Sequence, residues 1–157
     1  MTTTSAEQSL WLATAPPLDR APLAGDLRVD VAVLGGGIAG LTAALLLKRD
    51  GARVAVLEAG GVGRGVTGCT TAKVSALQAT ILSTIRARHG DEAAAVYAQA
   101  NAAGVERLAA LSEEESIACD LERRPAYTYA GQASERSAVE GEAEAAAAAG
   151  LAVELTD

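Results

Sequence analysis

Six consecutive residues have the types and spacing of a phosphate-binding loop: Gly35, Gly36, Gly37, Ile38, Ala39 and Gly40. They fit the pattern G-x-G-x-x-G, in which Gly35 permits a tight turn and Gly37 lets the backbone approach a pyrophosphate. Gly40 lets the following helix pack closely on the preceding strand. The N–H groups at the start of that helix attract phosphate oxygens, so the loop could bind a dinucleotide although the chain's net charge is -7.

A carboxylate follows this loop at the distance that a dinucleotide site requires. Glu58 lies about 20 residues downstream, at the end of an apolar run, where it can accept hydrogen bonds from a ribose hydroxyl. Its negative charge disfavours the additional phosphate of NADP. NAD and FAD are both compatible with the pattern. The alternative to a dinucleotide site is a glycine-rich turn that binds no ligand.

Residues 59–73 form a second segment rich in glycine and threonine. A simple NAD domain would leave the strand for another crossover at this point, so the segment favours FAD. Arg64 and Lys73 supply positive charge, and backbone N–H groups together with threonine hydroxyls could hold phosphate oxygens from a second side. A surface loop without a ligand is the alternative.

A strand–helix–strand unit is needed to position these residues. Residues 28–34 form an apolar, β-branched run typical of a strand buried on both faces, and residues 53–57 form a second one. Between them, residues 38–49 predict a helix that ends at Asp50-Gly51. Strand, helix and strand within about 30 residues predict a right-handed parallel βαβ unit, which makes the fold α/β and Rossmann-like.

The rest of the chain predicts mostly helices, with a few short strands. Helices are predicted over residues 70–88, 91–115 and 134–149, the last capped by Ser134 and stopped by Gly150. Strands are predicted over residues 119–124 and 126–130, with the start of another at 151–155. Residues 1–27 predict an irregular arm that is anchored by Leu10, Trp11 and Leu12.

The composition argues against several classes of protein and site. With 13 basic residues against 20 acidic ones and 3% aromatic residues, the chain lacks the surface of a nucleic-acid binder. The N-terminus has no basic region of a secretory signal, and the charge-free residues 31–47 contain four glycines, which favours a buried strand and helix over a membrane span.

Two cysteines, Cys69 and Cys119, are too few for a disulfide framework or a cysteine-rich metal site. We therefore expect a cytoplasmic protein without a metal. Cys69 is expected to be a packed thiol and His89 a helix-terminal residue, so no catalytic acid or base is identified.

Three segments together resemble a known family. They read Val-Asp-Val-Ala-Val-Leu-Gly-Gly-Gly-Ile-Ala-Gly-Leu-Thr, Val-Ala-Val-Leu-Glu-Ala and Gly-Val-Thr-Gly-Cys-Thr-Thr-Ala-Lys-Val, over residues 29–42, 54–59 and 65–74. They resemble the FAD-dependent amine and amino-acid oxidoreductases of the D-amino-acid oxidase / glycine oxidase (DAO) family. Residues 9–12 resemble the arm of γ-glutamylputrescine oxidoreductase-like members, and residues 67–73 are similar to members that carry a Rieske iron–sulfur domain.

The resemblance implies an FAD site and a reaction. Gly35, Gly37 and Gly40 would hold the pyrophosphate and Glu58 the adenosine ribose, while the second segment would line the flavin side. The candidate cofactor-binding residues are Gly35, Gly36, Gly37, Ile38, Ala39, Gly40, Glu58, Ala59, Arg64, Gly65, Thr67, Gly68 and Thr70. The implied chemistry is oxidation of a C–N bond of a small-molecule amine or amino acid by hydride transfer to the flavin.

The resemblance also implies an organisation. Residues 1–27 would be the arm, residues 28–117 the N-terminal part of an FAD-binding domain, and residues 118–157 the start of an α+β substrate domain. Because family members are longer, we expect an N-terminal fragment of an enzyme whose full-length chain could include a Rieske domain. An NAD-linked Rossmann enzyme and a non-catalytic dinucleotide-binding remnant are the alternatives.

Overall fold

The computed structural model describes residues 9–16, 18 and 20–156, which fall into two units, Met1–Lys73 and Val74–Asp157. The elements of the first unit are helix α1 (Leu10–Thr14), strand β1 (Val31–Leu34), helix α2 (Ile38–Arg49), strand β2 (Val54–Leu57) and a 3-10 turn over Val66–Cys69. Those of the second unit are helix α3 (Ile81–Glu114), a 3-10 turn over Ala133–Glu135 and helix α4 (Arg136–Ala148).

The first unit is organised around one parallel pair of strands. Val31 of β1 faces Val54 of β2, and Leu34 faces Leu57 at the other end. Helix α2 connects the two strands and packs on both. The predicted parallel βαβ unit is confirmed, and α2 has the predicted bounds.

An ion pair joins the two strands where they begin. The guanidinium of Arg53 donates from Nε and Nη2 to the Asp30 carboxylate at 3.1 and 2.8 Å, and the Arg53 backbone N–H donates to the same group at 2.9 Å. The arginine side chain lowers the pKa of the Asp30 carboxyl below its ordinary value. Because a slip by one residue would break this forked contact, the pair favours the observed register.

The expectation that both strands are buried on both faces is wrong for this unit. Residues of β1 alternate between half-buried and exposed, and the side chain of Leu34 is 80% exposed. Among the described elements, α2 is the one helix that packs on the sheet. A single helix covers one face, so every second side chain of β1 faces away from it.

The N-terminal arm contains a short helix where the sequence predicted irregular chain. Helix α1 spans Leu10–Thr14, and the Thr14 hydroxyl donates to the Leu10 carbonyl at 2.8 Å. Residues 1–8, 17 and 19, which also belong to the predicted arm, lie outside the described residues.

Helix α3 is interrupted at Gly90, whose φ of 85° and ψ of 175° are not helical. The part after Gly90 confirms the helix predicted over residues 91–115, and His89 lies directly before the break, as expected of a helix-terminal residue. The helix predicted over residues 70–88 is wrong for residues 70–80.

Local hydrogen bonds explain why residues 70–80 are not helical. The hydroxyls of Thr70 and Ser75 accept hydrogen bonds from the backbone N–H groups of Ala72 and Leu77 at 3.2 and 3.0 Å. Such short side-chain bonds compete with the helical ladder. Ala72 and Ala79 also have positive φ values, 59° and 49°, which a continuous helix does not allow.

A buried carboxylate joins α3 to α4. Glu142 of α4 is 2% exposed and accepts hydrogen bonds from the backbone N–H groups of Leu82 and Ser83 at 2.9 and 2.7 Å. These N–H groups lie in the first turn of α3 and have no partner within that helix. Small side chains complete the contact between the helices, and the core cluster consists of Leu82, Ala98, Ala145, Ala146 and Ala149.

Two further predictions for the second unit are wrong. Ser134 does not cap helix α4, because it lies in a 3-10 turn and the helix begins at Arg136. The Glu135 carboxylate instead accepts hydrogen bonds from the Gly131 and Gln132 N–H groups at 2.8 and 3.2 Å. Within the described residues no strand forms over 119–124, 126–130 or 151–155, so Cys119 is not a strand residue. In the part of the chain that the structure describes, these segments have no neighbouring strand with which to pair.

None of the helices in the described part of the chain has the length and apolar character of a membrane-spanning segment.

Candidate dinucleotide site

The first glycine loop joins the end of β1 to the start of α2. Gly35 has a φ of 107°, which side chains rarely allow, and its N–H donates to the Leu57 carbonyl of β2 at 2.8 Å. A Cβ atom on Gly40 would lie 2.0 Å from the Gly35 carbonyl oxygen. The loop and the helix therefore approach each other more closely than any other residue at position 40 would permit.

Glu58, at the end of β2, bridges the two glycine segments. Its Oε2 accepts a hydrogen bond from the Gly36 N–H at 2.7 Å, and its Oε1 accepts one from the Gly60 N–H at 2.8 Å. The N–H groups of Gly60 and Gly36 lower the pKa of the Glu58 carboxyl below its ordinary value. An ionised carboxylate offers about four acceptor positions, so this exposed group keeps capacity for ribose hydroxyls.

The second glycine segment lies against the start of α2. The Thr67 hydroxyl oxygen accepts a hydrogen bond from the Ile38 N–H at 3.0 Å, and the Gly63 N–H donates to the Gly36 carbonyl at 2.9 Å. A threonine hydroxyl that accepts one bond still has its own hydrogen to donate. The Thr67 hydroxyl can thus accept the Ile38 N–H at the start of α2 and donate its own hydrogen to an anion.

Helix α1 also contacts this segment. The Trp11 indole Nε1 donates to the Thr70 carbonyl at 2.7 Å. A Cβ atom on buried Gly68 would lie 2.7 Å from Leu12 Cδ2, so the leucine packs directly on the backbone. The predicted anchoring of the arm is confirmed for Trp11 and Leu12, whereas the Leu10 side chain is 63% exposed.

The structure brings some of the predicted residues together and leaves others at the surface. Gly36 meets Glu58, and Ile38 meets Thr67, as described above. The side chain of Arg64 lies along Gly61, and the Thr70 hydroxyl is engaged with Ala72. The exposed members of the predicted set are Ile38, Ala39, Glu58, Ala59, Arg64, Gly65 and Thr70. Cys69 is exposed too, which corrects the expectation of a packed thiol.

Three contributing residues were not among the predicted cofactor-binding residues, although Trp11 was predicted as an anchor of the arm. Gly60 and Gly63 connect the second segment to Glu58 and to the first loop, and Trp11 supplies a side-chain bond to Thr70. The density of glycines after Glu58 was a usable signal for the first two. No spacing rule relates a tryptophan to a carbonyl 59 residues away in the chain.

The geometry fits a dinucleotide. A Cβ atom on Gly37 would lie 3.2 Å from the Thr67 hydroxyl oxygen, so a side chain there would fill the gap between the two segments. Around that gap lie the N-terminal turn of α2, an ionised carboxylate and a hydroxyl. These are the groups that bind a pyrophosphate and a ribose.

Comparison with protein families decides which class of dinucleotide enzyme this is. The family model described as DAO, FAD dependent oxidoreductase, matches residues 30–157. The chain belongs to the DAO family of FAD-dependent oxidoreductases. As a DAO domain it depends on FAD, which settles the choice between FAD and NAD that the glycine pattern left open.

One curated relative of this DAO chain is the "Putative Rieske 2Fe-2S iron-sulfur protein YhfW" of Bacillus subtilis (strain 168). It is 32% identical over 124 residues, which cover 79% of this chain and 24% of the relative. The DAO chain therefore spans about a quarter of that relative's length. No solved structure matches the chain significantly.

Proposed function

We propose that this chain is the N-terminal, FAD-binding part of an oxidoreductase that oxidises the C–N bond of an amine or amino acid. The observation that carries the proposal is the contact between the two glycine segments, made through Glu58 and Thr67 inside the region that the DAO family model matches. When bound, FAD supplies the acceptor for a hydride from the substrate carbon.

The chain's own residues bind and orient this cofactor in the proposal. The first loop, from Gly35 to Gly40, holds the pyrophosphate with its N–H groups, and the ionised Glu58 accepts the ribose hydroxyls. The flavin side is lined by Gly65, Thr67, Gly68 and Thr70. The exposed guanidinium of Arg64 adds positive charge beside phosphate oxygens, which offsets the acidity of the chain as a whole.

We propose the predicted organisation for the intact protein. Residues 28–117 belong to the FAD-binding domain and residues 118–157 begin the substrate domain. A Rieske domain elsewhere in the protein would accept electrons singly, and the name of YhfW supports its presence. Both cysteines are free and exposed, which suits the reducing cytoplasm.

A spectroscopic experiment tests the proposed function. The intact protein is purified and its visible spectrum recorded, and then primary amines, secondary amines and amino acids are added without oxygen. We expect flavin absorbance bands that at least one of these compounds bleaches. A protein that binds NAD more tightly than FAD, or a flavoprotein that none of the compounds reduces, would contradict the proposal.

A further inference from the structure

Helix α1 and the second glycine segment form a contact that the dinucleotide pattern does not explain. The Trp11 Nε1 donates to the Thr70 carbonyl at 2.7 Å, just beyond the 3-10 turn over Val66–Cys69. Leu12 packs within that turn on Gly68, where any side chain would collide with Leu12 and with the Gly63 carbonyl. Helix α1 thus contacts both the middle and the end of the turn.

The turn also has a polar connection to the first loop. Thr67 reaches the start of α2 through the Ile38 N–H. The Val66 side chain is 90% exposed, and Cys69 is exposed as well. The turn is therefore contacted both by the start of α2 and by α1, and the position of the Thr67 hydroxyl depends on both contacts.

We infer that Trp11 and Leu12 are positioning residues for FAD: helix α1 acts as a strap that holds residues 66–70 against the first glycine loop. The inference rests on the proposed function, because it assigns the strap's effect to the same cofactor site. With the strap in place, the Thr67 hydroxyl is held where it can donate to the cofactor. Without the strap, the turn must be ordered when FAD binds, and that ordering weakens the affinity.

Two variants and one matched control separate this role from general packing. Trp11→Phe keeps an aromatic ring but removes the N–H donor, and Leu12→Ala removes the contact with Gly68. Leu10→Ala changes the same helix at a side chain that is 63% exposed. Each full-length variant is titrated with FAD by flavin fluorescence, and hydrogen exchange of residues 63–73 is measured without FAD.

We expect Trp11→Phe and Leu12→Ala to bind FAD about three- to tenfold more weakly, the loss that one hydrogen bond or one packing contact produces. Exchange should be faster over residues 63–73 and unchanged over α2. Leu10→Ala should match the wild type in both measurements.

Other results overturn the inference in distinguishable ways. If both variants kept the wild-type hydrogen exchange or the wild-type FAD affinity, the inference about α1 would be wrong and the proposed function would be unaffected. Faster exchange across α2 as well would make Trp11 and Leu12 general packing residues. A wild-type protein that binds no FAD would overturn the proposed function itself, and the strap's role with it.

Discussion

At the scale of single residues, Gly40 tests whether the close approach of loop and helix matters for the cofactor. Gly40→Ala would place a Cβ atom 2.0 Å from the Gly35 carbonyl oxygen and so push α2 away from the loop. We expect FAD affinity to fall by about tenfold or more, since the N–H groups lose their alignment. The measurement is a flavin fluorescence titration of the purified intact protein.

Gly104→Ala is the matched control for this substitution. Gly104 lies in α3 with open space around its would-be Cβ atom, so the same change of residue type meets nothing there. The control should keep wild-type FAD affinity and gain about 0.5–1 kcal/mol of stability, as an alanine does in a helix interior. Equal affinities for Gly40→Ala and the wild type would show that the close approach is dispensable.

The charge of Glu58 is a second property of a single residue. Glu58→Gln keeps the side chain's size but replaces one carboxylate oxygen by an NH2 group. Both carboxylate oxygens accept backbone N–H groups, whereas the NH2 group can only donate. We expect FAD binding to weaken by about tenfold, because hydrogen bonds to a charged group are among the stronger ones. Isothermal titration calorimetry measures the FAD affinity. Asp26→Asn is the control, because it removes the same single negative charge at an exposed position. A similar loss in both variants would point to net charge instead.

At the scale of elements, the start of α3 depends on a residue of α4. Glu142→Ala would leave the Leu82 and Ser83 N–H groups without their acceptor and open space beside the α3–α4 core. We expect the free energy of unfolding to fall by about 2–3 kcal/mol. Urea denaturation followed by circular dichroism measures this.

Glu144→Ala provides the comparison on the same helix, because Glu144 is exposed two positions further along α4. Its effect should stay within about 0.5 kcal/mol. If the two alanine variants were equally stable, the buried carboxylate would not be what stabilises the start of α3.

The same contact shows how far the sequence predicts the elements. The βαβ unit is local: its apolar runs, its glycines and the end of α2 near Asp50 all lie within one stretch of chain, and each was predicted. The start of α3 is not local, since the Leu82 N–H finds its acceptor on Glu142, 60 residues away. The helix predicted over residues 70–88 begins only at Ile81, because nearby hydroxyls and the distant Glu142 carboxylate, rather than helix propensity, determine its start.

The features of the site likewise divide into local ones and ones that depend on distant residues. Glycine spacing and Glu58 could be predicted from the sequence, because turn geometry and strand ends impose them. The bond between Trp11 and Thr70 depends on how the arm folds back on the unit, which no local pattern encodes. The strands predicted after residue 118 are absent from the described residues for a related reason, since a strand-like sequence forms a strand only where a partner strand exists.

At the scale of the whole molecule, acid should weaken the fold of both units. The pKa values of Asp30, Glu58 and Glu106 are all lowered, by Arg53, by glycine N–H groups and by Arg123 respectively. Because a lowered pKa in the folded state means that the ionised form favours folding, this stability is complete above the ordinary carboxyl values. It is lost as the pH falls through the lowered ones.

A pH series of urea denaturation tests this expectation. Wild-type stability should decline between about pH 5 and about pH 3, and the decline should be smaller in Asp30→Asn, which no longer titrates at that position. Asp26→Asn should decline as the wild type does. A variant without Asp30 that is as acid-sensitive as the wild type would show that the ion pair with Arg53 contributes nothing to the pH dependence.

The carboxylate that joins α4 to α3 also constrains the order of events during folding. Its partners are 60 and 59 residues away in sequence, so a long loop must close before the bonds can form. Closing that loop costs conformational entropy, and the cost grows slowly with the length of the loop. We therefore expect the bonds that Glu142 accepts to form late in folding, so that the loss of its carboxylate should mainly speed the unfolding of the second unit.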